Sequence, residues 1–504
     1  MPLIRTAKTE CGCVRGLPAA DPRITAYKGI PFAAPPVMEN RWRAPQPCVP
    51  WEGEYAAYGF APIGPQAVTG KDKSNIYTRE WAVDDDPAMD EDCLYLNIWA
   101  PAEGQNGLPV FVWFFGGGLQ VGATTEMEFD GERIARRGAI VVTVNYRLNV
   151  FGFLAHPEIT AESPQSATNF GFLDQQCALK WVKRNIAAFG GDPDNITIGG
   201  QSAGGMSVSA QIANPGNEGL FDRAVIISGL FASVYPERLG LCVPLADAED
   251  RGRRFFETVL GVKTLEEARR VPWKELLHAA LSWKEAGLWP ASVDGSFLCY
   301  APDQWYLHDA RVHCPVLMGS TNNEFLFAPK AEDDASLQAY AQRIEGLDRE
   351  RFLAAFTSPA TAESIRREGT VNAIALAIHA AAIKAREDIY AYEFGASIPG
   401  WDDPGAFHSV DLWFFFETLA KCWRPFVGEH YDLARQMCDY LCNFIKSGDP
   451  NGTGTDGNQL PSWPRIDPQD PVFMSFKDTA KTVRRRMSSV EKALLDAFFA
   501  RLKV

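Results

Sequence analysis

The stretch Gly199 to Gly205, GGQSAGG, surrounds a single hydroxyl with little that is larger than a methyl group. Within it, Gly200-Gln201-Ser202-Ala203-Gly204 forms a G-x-S-x-G pattern, preceded by the strand-like NITIGG from Asn195 and followed by a run of small and apolar residues suited to a helix. A nucleophilic serine needs that context. A sharp strand-to-helix turn presents its Oγ at the C-terminal edge of a sheet, and glycines two residues away on either side avoid clashes within the turn. The same turn places Ser202 at a helix N-terminus, where unsatisfied N–H groups and the helix dipole favour negative charge, so the Ala203 N–H can face a developing oxyanion. A second glycine run, Gly116 to Gly118, directly follows the apolar VFVWFF from Val110. Bare backbone there can approach a ligand and aim N–H groups at it.

A serine nucleophile needs a general base and an acid to orient that base, and chains with this elbow run in the order Ser, then Asp or Glu, then His. Three of the seven histidines lie beyond the candidate acid Glu324: His379, His408 and His430. His379 sits in the apolar helical run AIALAIHAAAIKA and reads as a packed core residue, while His430 in GEHYDLARQM reads as a helix-start or surface residue. His408 lies in the turn-rich DDPGAFHSVDLWFFF, where a catalytic loop is expected. Glu324 follows CPVLMGSTNN, a buried strand opening into a polar loop. Asp411, three residues after His408, is its rival, and chemistry alone leaves that choice open.

The elements that must position these residues follow from periodicity. Short, uniformly apolar runs begin at Val110, Ala139, Asn195, Arg223, Cys314 and Ile389. They read as parallel strands covered on both faces. Helical patterns lie between them, such as FLDQQCALKWVKRNIAAFG after Phe172, closed by Gly190. The expected fold is therefore α/β, an open and mostly parallel sheet with right-handed crossovers. Leu230 to Ala310 and Ala328 to Glu387 read as mainly helical insertions packed over one end of the sheet, where they could wall a pocket. No repeat, low-complexity tract or linker is legible, and length leaves open one large α/β domain with insertions or two or three smaller ones.

Composition narrows the partner. A formal net charge of −14 disfavours nucleic acid, which requires clustered Lys and Arg. The acidic run DDDPAMDED from Asp84 is expected to be a solvated loop rather than a metal site. Eleven scattered cysteines read as free thiols, and neither a leader nor a membrane span is legible, so a cytoplasmic protein acting on a small molecule is expected. The chemistry calls for no cofactor and no metal.

The chain resembles the type-B carboxylesterase and cholinesterase family. The likeness is carried by YKGIPFAAPP at Tyr27, EDCLYLNIW at Glu91, NYRLNVFGFL at Asn145, NFGFLDQQCALKWVKRNIAAFGGDPDNITI at Asn169, GSTNNEFLF at Gly319, and FIKSGDPNG and LPSWPRID near the C-terminus. It covers nearly the whole chain. The resemblance implies a single domain of α/β-hydrolase fold over residues 1–504, a triad of Ser202, Glu324 and His408, and an oxyanion hole from the N–H groups of Gly117, Gly118 and Ala203. It also implies that Ser228 hydrogen-bonds around the triad, and it favours Glu324 over Asp411. Three positions depart from the family pattern. Gln201 replaces the usual Glu before the nucleophile, which counts against cationic alcohols. Phe115 replaces a His or Tyr before the glycines. Gly64 stands where secreted relatives carry the disulfide partner of Cys93, so Cys93 is expected to be a free thiol. The implied activity is hydrolysis, through an acyl-enzyme, of uncharged esters with short or aromatic acyl groups, in a pocket drawn from Leu119, Phe325, Phe327, Phe407 and Trp413. Feruloyl or acetyl esters on plant cell-wall sugars are the alternative substrates, and a non-catalytic binding protein is the alternative of another class.

Overall fold

A computed structural model describes residues 3–68, 72–81, 87–231, 242–283 and 287–502. Its principal sheet has eleven strands, in chain order β1 (Leu17–Pro18), β2 (Ile24–Pro31), β3 (Tyr95–Pro101), β4 (Leu108–Phe114), β5 (Ile140–Val144), β6 (Gly191–Gln201), β7 (Arg223–Ile227), β8 (Val316–Thr321), β9 (Ile389–Phe394), β10 (Val472–Phe476) and β11 (Ala480–Arg484). Their spatial order is β11-β10-β9-β8-β7-β6-β4-β5-β3-β2-β1. From β10 to β5 all neighbours run parallel, and antiparallel strands close both edges.

The six strands expected from apolar runs are β4 to β9, the centre of this sheet. The physical reason is that both faces are covered, so β5 and β8 are buried at every position. The outer strands carry a weaker signal. In β2, ITAYKGIP carries a glycine and a proline, and its pairing with β3 is broken by an irregularity between Tyr27 and Ile30. In β11 most positions are exposed, so no apolar run marks it.

Four helices frame the sheet around the candidate residues: α1 (Phe170–Asn185), α2 (Ala203–Ala213), α3 (Ala373–Lys384) and α4 (Gly428–Ser447). A 3₁₀ turn, Ile186–Phe189, extends α1 to Gly190, which takes the left-handed conformation at φ +91° as a helix terminator should. Helix α2 is buried along its entire length, which explains its uniformly small and apolar sequence. The stretch TLEEARRVPWKELLHAALSW forms two helices, Leu265–Arg270 and Trp273–Ser282, the first opened by a Thr264–Glu267 capping box. Parts of the expected insertions, 232–241 and 284–286, lie outside the described residues.

Two expectations need correction. The acidic run is not simply a solvated loop. Residues 84–86 lie outside the described residues, but Glu91 is buried and accepts two hydrogen bonds from the Arg41 guanidinium, at 2.5 and 2.7 Å. A buried carboxylate requires such a partner. His430 does begin a helix but is not at the surface. Its Nδ1 accepts from the Val427 N–H and its Nε2 lies 3.0 Å from the Ser397 carbonyl. All eleven cysteines are free, and Cys93 Sγ lies 3.4 Å from where a Gly64 side chain would begin.

Candidate active site

Strand β6 ends at Gln201 and helix α2 begins at Ala203, leaving Ser202 alone to make the turn. It does so at φ +56° and ψ −125°, a conformation an L-residue holds only when its surroundings enforce it. The enforcement is visible in the flanking glycines. A Cβ on Gly200 would meet the Gly204 carbonyl oxygen at 2.2 Å, and one on Gly204 would meet the Phe114 carbonyl oxygen at 2.1 Å. The G-x-S-x-G spacing is thus a packing requirement of the β6–α2 turn against the end of β4.

The glycine run after β4 lies beside this turn, since a Gly116 Cβ would stand 3.1 Å from Ser202 Cβ. Gly117 adopts φ +104°, and a side chain there would collide with the Val121 carbonyl. Among the described residues, the N–H groups of Gly117, Gly118 and Ala203 donate to no protein acceptor. The loop is braced in ways the sequence did not reveal. Gln66 Oε1 accepts from the Gly122 N–H at 2.7 Å, and Tyr146 donates its hydroxyl to the Phe115 carbonyl at 2.6 Å while its ring stacks on Phe115. The departure at Phe115 thus keeps an aromatic brace.

Glu324 and His408 come from loops after β8 and β9. Asn323 ties the loops together, its N–H donating to the Ala406 carbonyl and its Oδ1 accepting from the Ala406 N–H. His408 Nδ1 is 2.5 Å from Glu324 Oε2. The other carboxylate oxygen accepts from Ser228 Oγ at 2.5 Å and from the Thr321 N–H and hydroxyl at 3.0 Å each. Burial by itself raises this carboxyl, but the charge and hydrogen bond of His408, with those of Ser228 and Thr321, outweigh it and hold Glu324 below its ordinary value. Ser228 occupies the position expected of it, at φ +48°, its N–H bonded to the Gly319 carbonyl of β8.

On the far side of the imidazole, His408 Nε2 lies 3.2 Å from Gln201 Nε2, the residue adjacent to Ser202. Gln201 Nε2 also donates to Ser409 Oγ at 2.6 Å. Asp411, the rival acid, points elsewhere: its Oδ2 accepts from the Tyr392 hydroxyl at 2.7 Å. Its Oδ1 is buried and, among the described residues, has no hydrogen-bond partner.

A family model, the carboxylesterase family, matches residues 4–370 and 363–495. The chain belongs to the carboxylesterase family. It is an ester hydrolase, and its sheet is that of the α/β-hydrolase fold. The para-nitrobenzyl esterase of Bacillus subtilis is 31% identical over 464 residues, covering 88% of this chain and 90% of that protein. The phenmedipham hydrolase of Pseudarthrobacter oxydans is 30% identical, covering 92% and 93%. A solved PNB esterase superposes with a TM-score of 0.79 at 28% identity, covering 97% of this chain and 99% of that one.

Among the expected pocket residues of this carboxylesterase, Phe325 meets the site most directly, its ring centroid 4.9 Å from that of His408 and 6.1 Å from Phe231. Phe327 is half-buried in a short strand paired with Val371–Asn372. Phe407 is buried against Trp81 and beneath the Arg424 guanidinium. Leu119 and Trp413 have no accessible surface and belong to the packed interior of this structure.

Proposed function

We propose that Ser202, His408 and Glu324 carry out acyl transfer in two steps. His408 takes the Ser202 proton at Nε2 as Oγ bonds to the ester carbonyl carbon, and the carbonyl π pair moves onto oxygen. Gly117, Gly118 and Ala203 donate their N–H groups to that oxyanion. Collapse expels the alcohol, protonated by His408, and a water activated by the same ring releases the acid. Glu324 keeps the proton of the neutral ring on Nδ1, so the Nε2 lone pair is the basic site. One observation supports the reading more than any other: a buried imidazole, bound to a carboxylate through Nδ1, meets through its other nitrogen the side chain of Gln201, the neighbour of a strained serine beside N–H groups that, among the described residues, donate to no acceptor.

The preferred substrates are uncharged esters with short or aromatic acyl groups. The Phe325 ring against His408 supports this, as does the neutral Gln201 beside the nucleophile, where a carboxylate would favour a cation. The relative named for para-nitrobenzyl esters points the same way. Eleven free thiols favour a reducing compartment, hence the cytoplasm. One hydrophobic core running from Ala7 to Phe498 supports a single domain.

Hydrolysis of p-nitrophenyl butyrate by the parent and by Ser202→Ala tests the assignment. The variant is expected to lose on the order of 10⁶ in kcat. Comparable turnover by both would place the chemistry elsewhere, and fastest turnover of quaternary-ammonium esters would overturn the substrate class.

A further inference from the structure

We propose that Gln201 is a positioning residue that occupies the catalytic base in the free enzyme and must release it before the serine can react. The inference rests on the acyl-transfer mechanism proposed for Ser202 and His408. Its starting point is the 3.2 Å contact between Gln201 Nε2 and His408 Nε2.

The direction of that hydrogen bond follows from its neighbours. Glu324 is held as a carboxylate by the donors around it, so His408 Nδ1 carries the proton of the neutral ring and Nε2 presents a bare lone pair. Only a donor satisfies a lone pair, which places the amide nitrogen of Gln201, not its oxygen, against the ring. The second amide hydrogen goes to Ser409 Oγ at 2.6 Å, so both N–H bonds of the amide are used and the arrangement is consistent. Ser409 sits at φ +78°, next to His408 in the chain, where its hydroxyl can meet the amide. All three side chains are buried.

An imidazole nitrogen has one in-plane lone pair. It accepts from the Gln201 amide or from the Ser202 hydroxyl, and among the described residues Ser202 Oγ has no hydrogen-bond partner. Proton transfer from Ser202 to Nε2 therefore first requires the amide to withdraw. Once the ring is protonated, an amide N–H facing Nε2–H is repulsive, so the contact serves the neutral ring alone. A glutamine can serve the neutral ring as a donor, whereas a glutamate could only accept from the charged one.

The lock stabilises the free enzyme with a neutral ring and nothing else on the path, which makes its removal diagnostic. The experiment measures kcat/KM for p-nitrophenyl butyrate from about pH 5 to 9 for the parent, Gln201→Met, Gln201→Glu and Ser202→Ala. Methionine keeps the length but removes the donor. The kcat/KM of Gln201→Met on the alkaline plateau is expected to rise about 3- to 10-fold, the worth of one neutral hydrogen bond. Its acid limb is expected to move to higher pH by the matching factor, so that the two profiles merge at low pH. Glutamate, which favours the charged ring, is expected to move the limb further in the same direction. A Gln201→Met enzyme that is slower at every pH with its acid limb unmoved would overturn the proposal and leave Gln201 as structural support only. If Gln201→Met fails to give a folded protein by thermal melting, the near-isosteric Gln201→Glu decides alone, and an unmoved limb there overturns the lock. Failure of the underlying mechanism is separate, since it shows as activity surviving in Ser202→Ala.

Discussion

Two buried carboxylates, Glu324 and Asp411, stand close enough to the same imidazole to feel its charge, and they differ in almost everything else. Glu324 has four donors on its two oxygens, His408 among them. Among the described residues, Asp411 has the Tyr392 hydroxyl on one oxygen and no partner on the other. Burial raises both. In Glu324 the donors and the His408 charge win and the carboxyl lies below its ordinary value, whereas in Asp411 burial and the Glu324 charge prevail over Tyr392 and push it up to about 7. Depth does not decide whether a buried acid is charged; the number of donors does. An acid that orients a histidine must be ionised when the histidine becomes charged, and the satisfied one of this pair meets that condition.

The comparison breaks most visibly at Glu324. Glu324→Gln keeps the shape but cannot hold the ring in the right tautomer, and kcat should fall on the order of 10⁴ with little change in KM. A loss below tenfold would mean that Asp411 can take over. The next effect is that of Ser228→Ala, which removes one of the four donors. Its cost should be roughly tenfold in kcat/KM, consistent with a hydrogen bond to a charged group. Acid inactivation should also begin at higher pH, because a carboxyl held below its unfolded value contributes stability that is lost as pH falls, and Ser228 is one of the groups holding it there.

The smallest effect on rate, within about threefold, is expected for Asp411→Asn, since Asp411 does not contact the ring by hydrogen bond. Its signature is in stability. A carboxyl raised to about 7 in the folded state contributes stability that is complete below the unfolded value near 4 and is lost as pH rises to about 7. Denaturant melts of the parent should therefore decline across that window from this source, and the Asn variant should lose that component of the slope. An identical slope in parent and variant would show that Asp411 is already charged and satisfied.

Much of this site was legible because its rules are local. The elbow at Ser202 is a constraint between residues two apart, and the glycines that a Cβ would jam against Phe114 and Gly204 are the ones the motif specifies. His408 could be separated from His379 by context alone. His379 proves to be wholly buried, stacked on Phe473, with burial lowering its ring to about 3. The central strands were legible because two-sided burial writes itself as unbroken apolar runs, while β2 and β11, in the outer parts of the sheet, carry no such mark.

The bracing partners were not legible, because each joins residues far apart in the chain. Gln66 reaches Gly122, Tyr146 reaches Phe115 and Asn323 reaches Ala406. Of these, only Asn323 stood next to a candidate, in STNNEF just before Glu324. The pocket reading from neighbourhood alone was the weakest, since adjacency to a catalytic motif brought Phe325 to the ring but left Leu119 and Trp413 in the interior.

By itself the sequence determined the strand-to-helix turn at Ser202, the glycine loop and the parallel sheet that carries them, and singled out His408 by its loop context, since each depends on backbone conformation or burial over a few consecutive residues. Residue chemistry left Glu324 and Asp411 open until the family resemblance favoured Glu324, and only the tertiary structure shows the contacts themselves, that carboxylate at His408 Nδ1 and the Gln201 amide at Nε2. Those depend on where hydrogen-bond donors from separate strands and loops converge, and no spacing along the chain encodes that convergence.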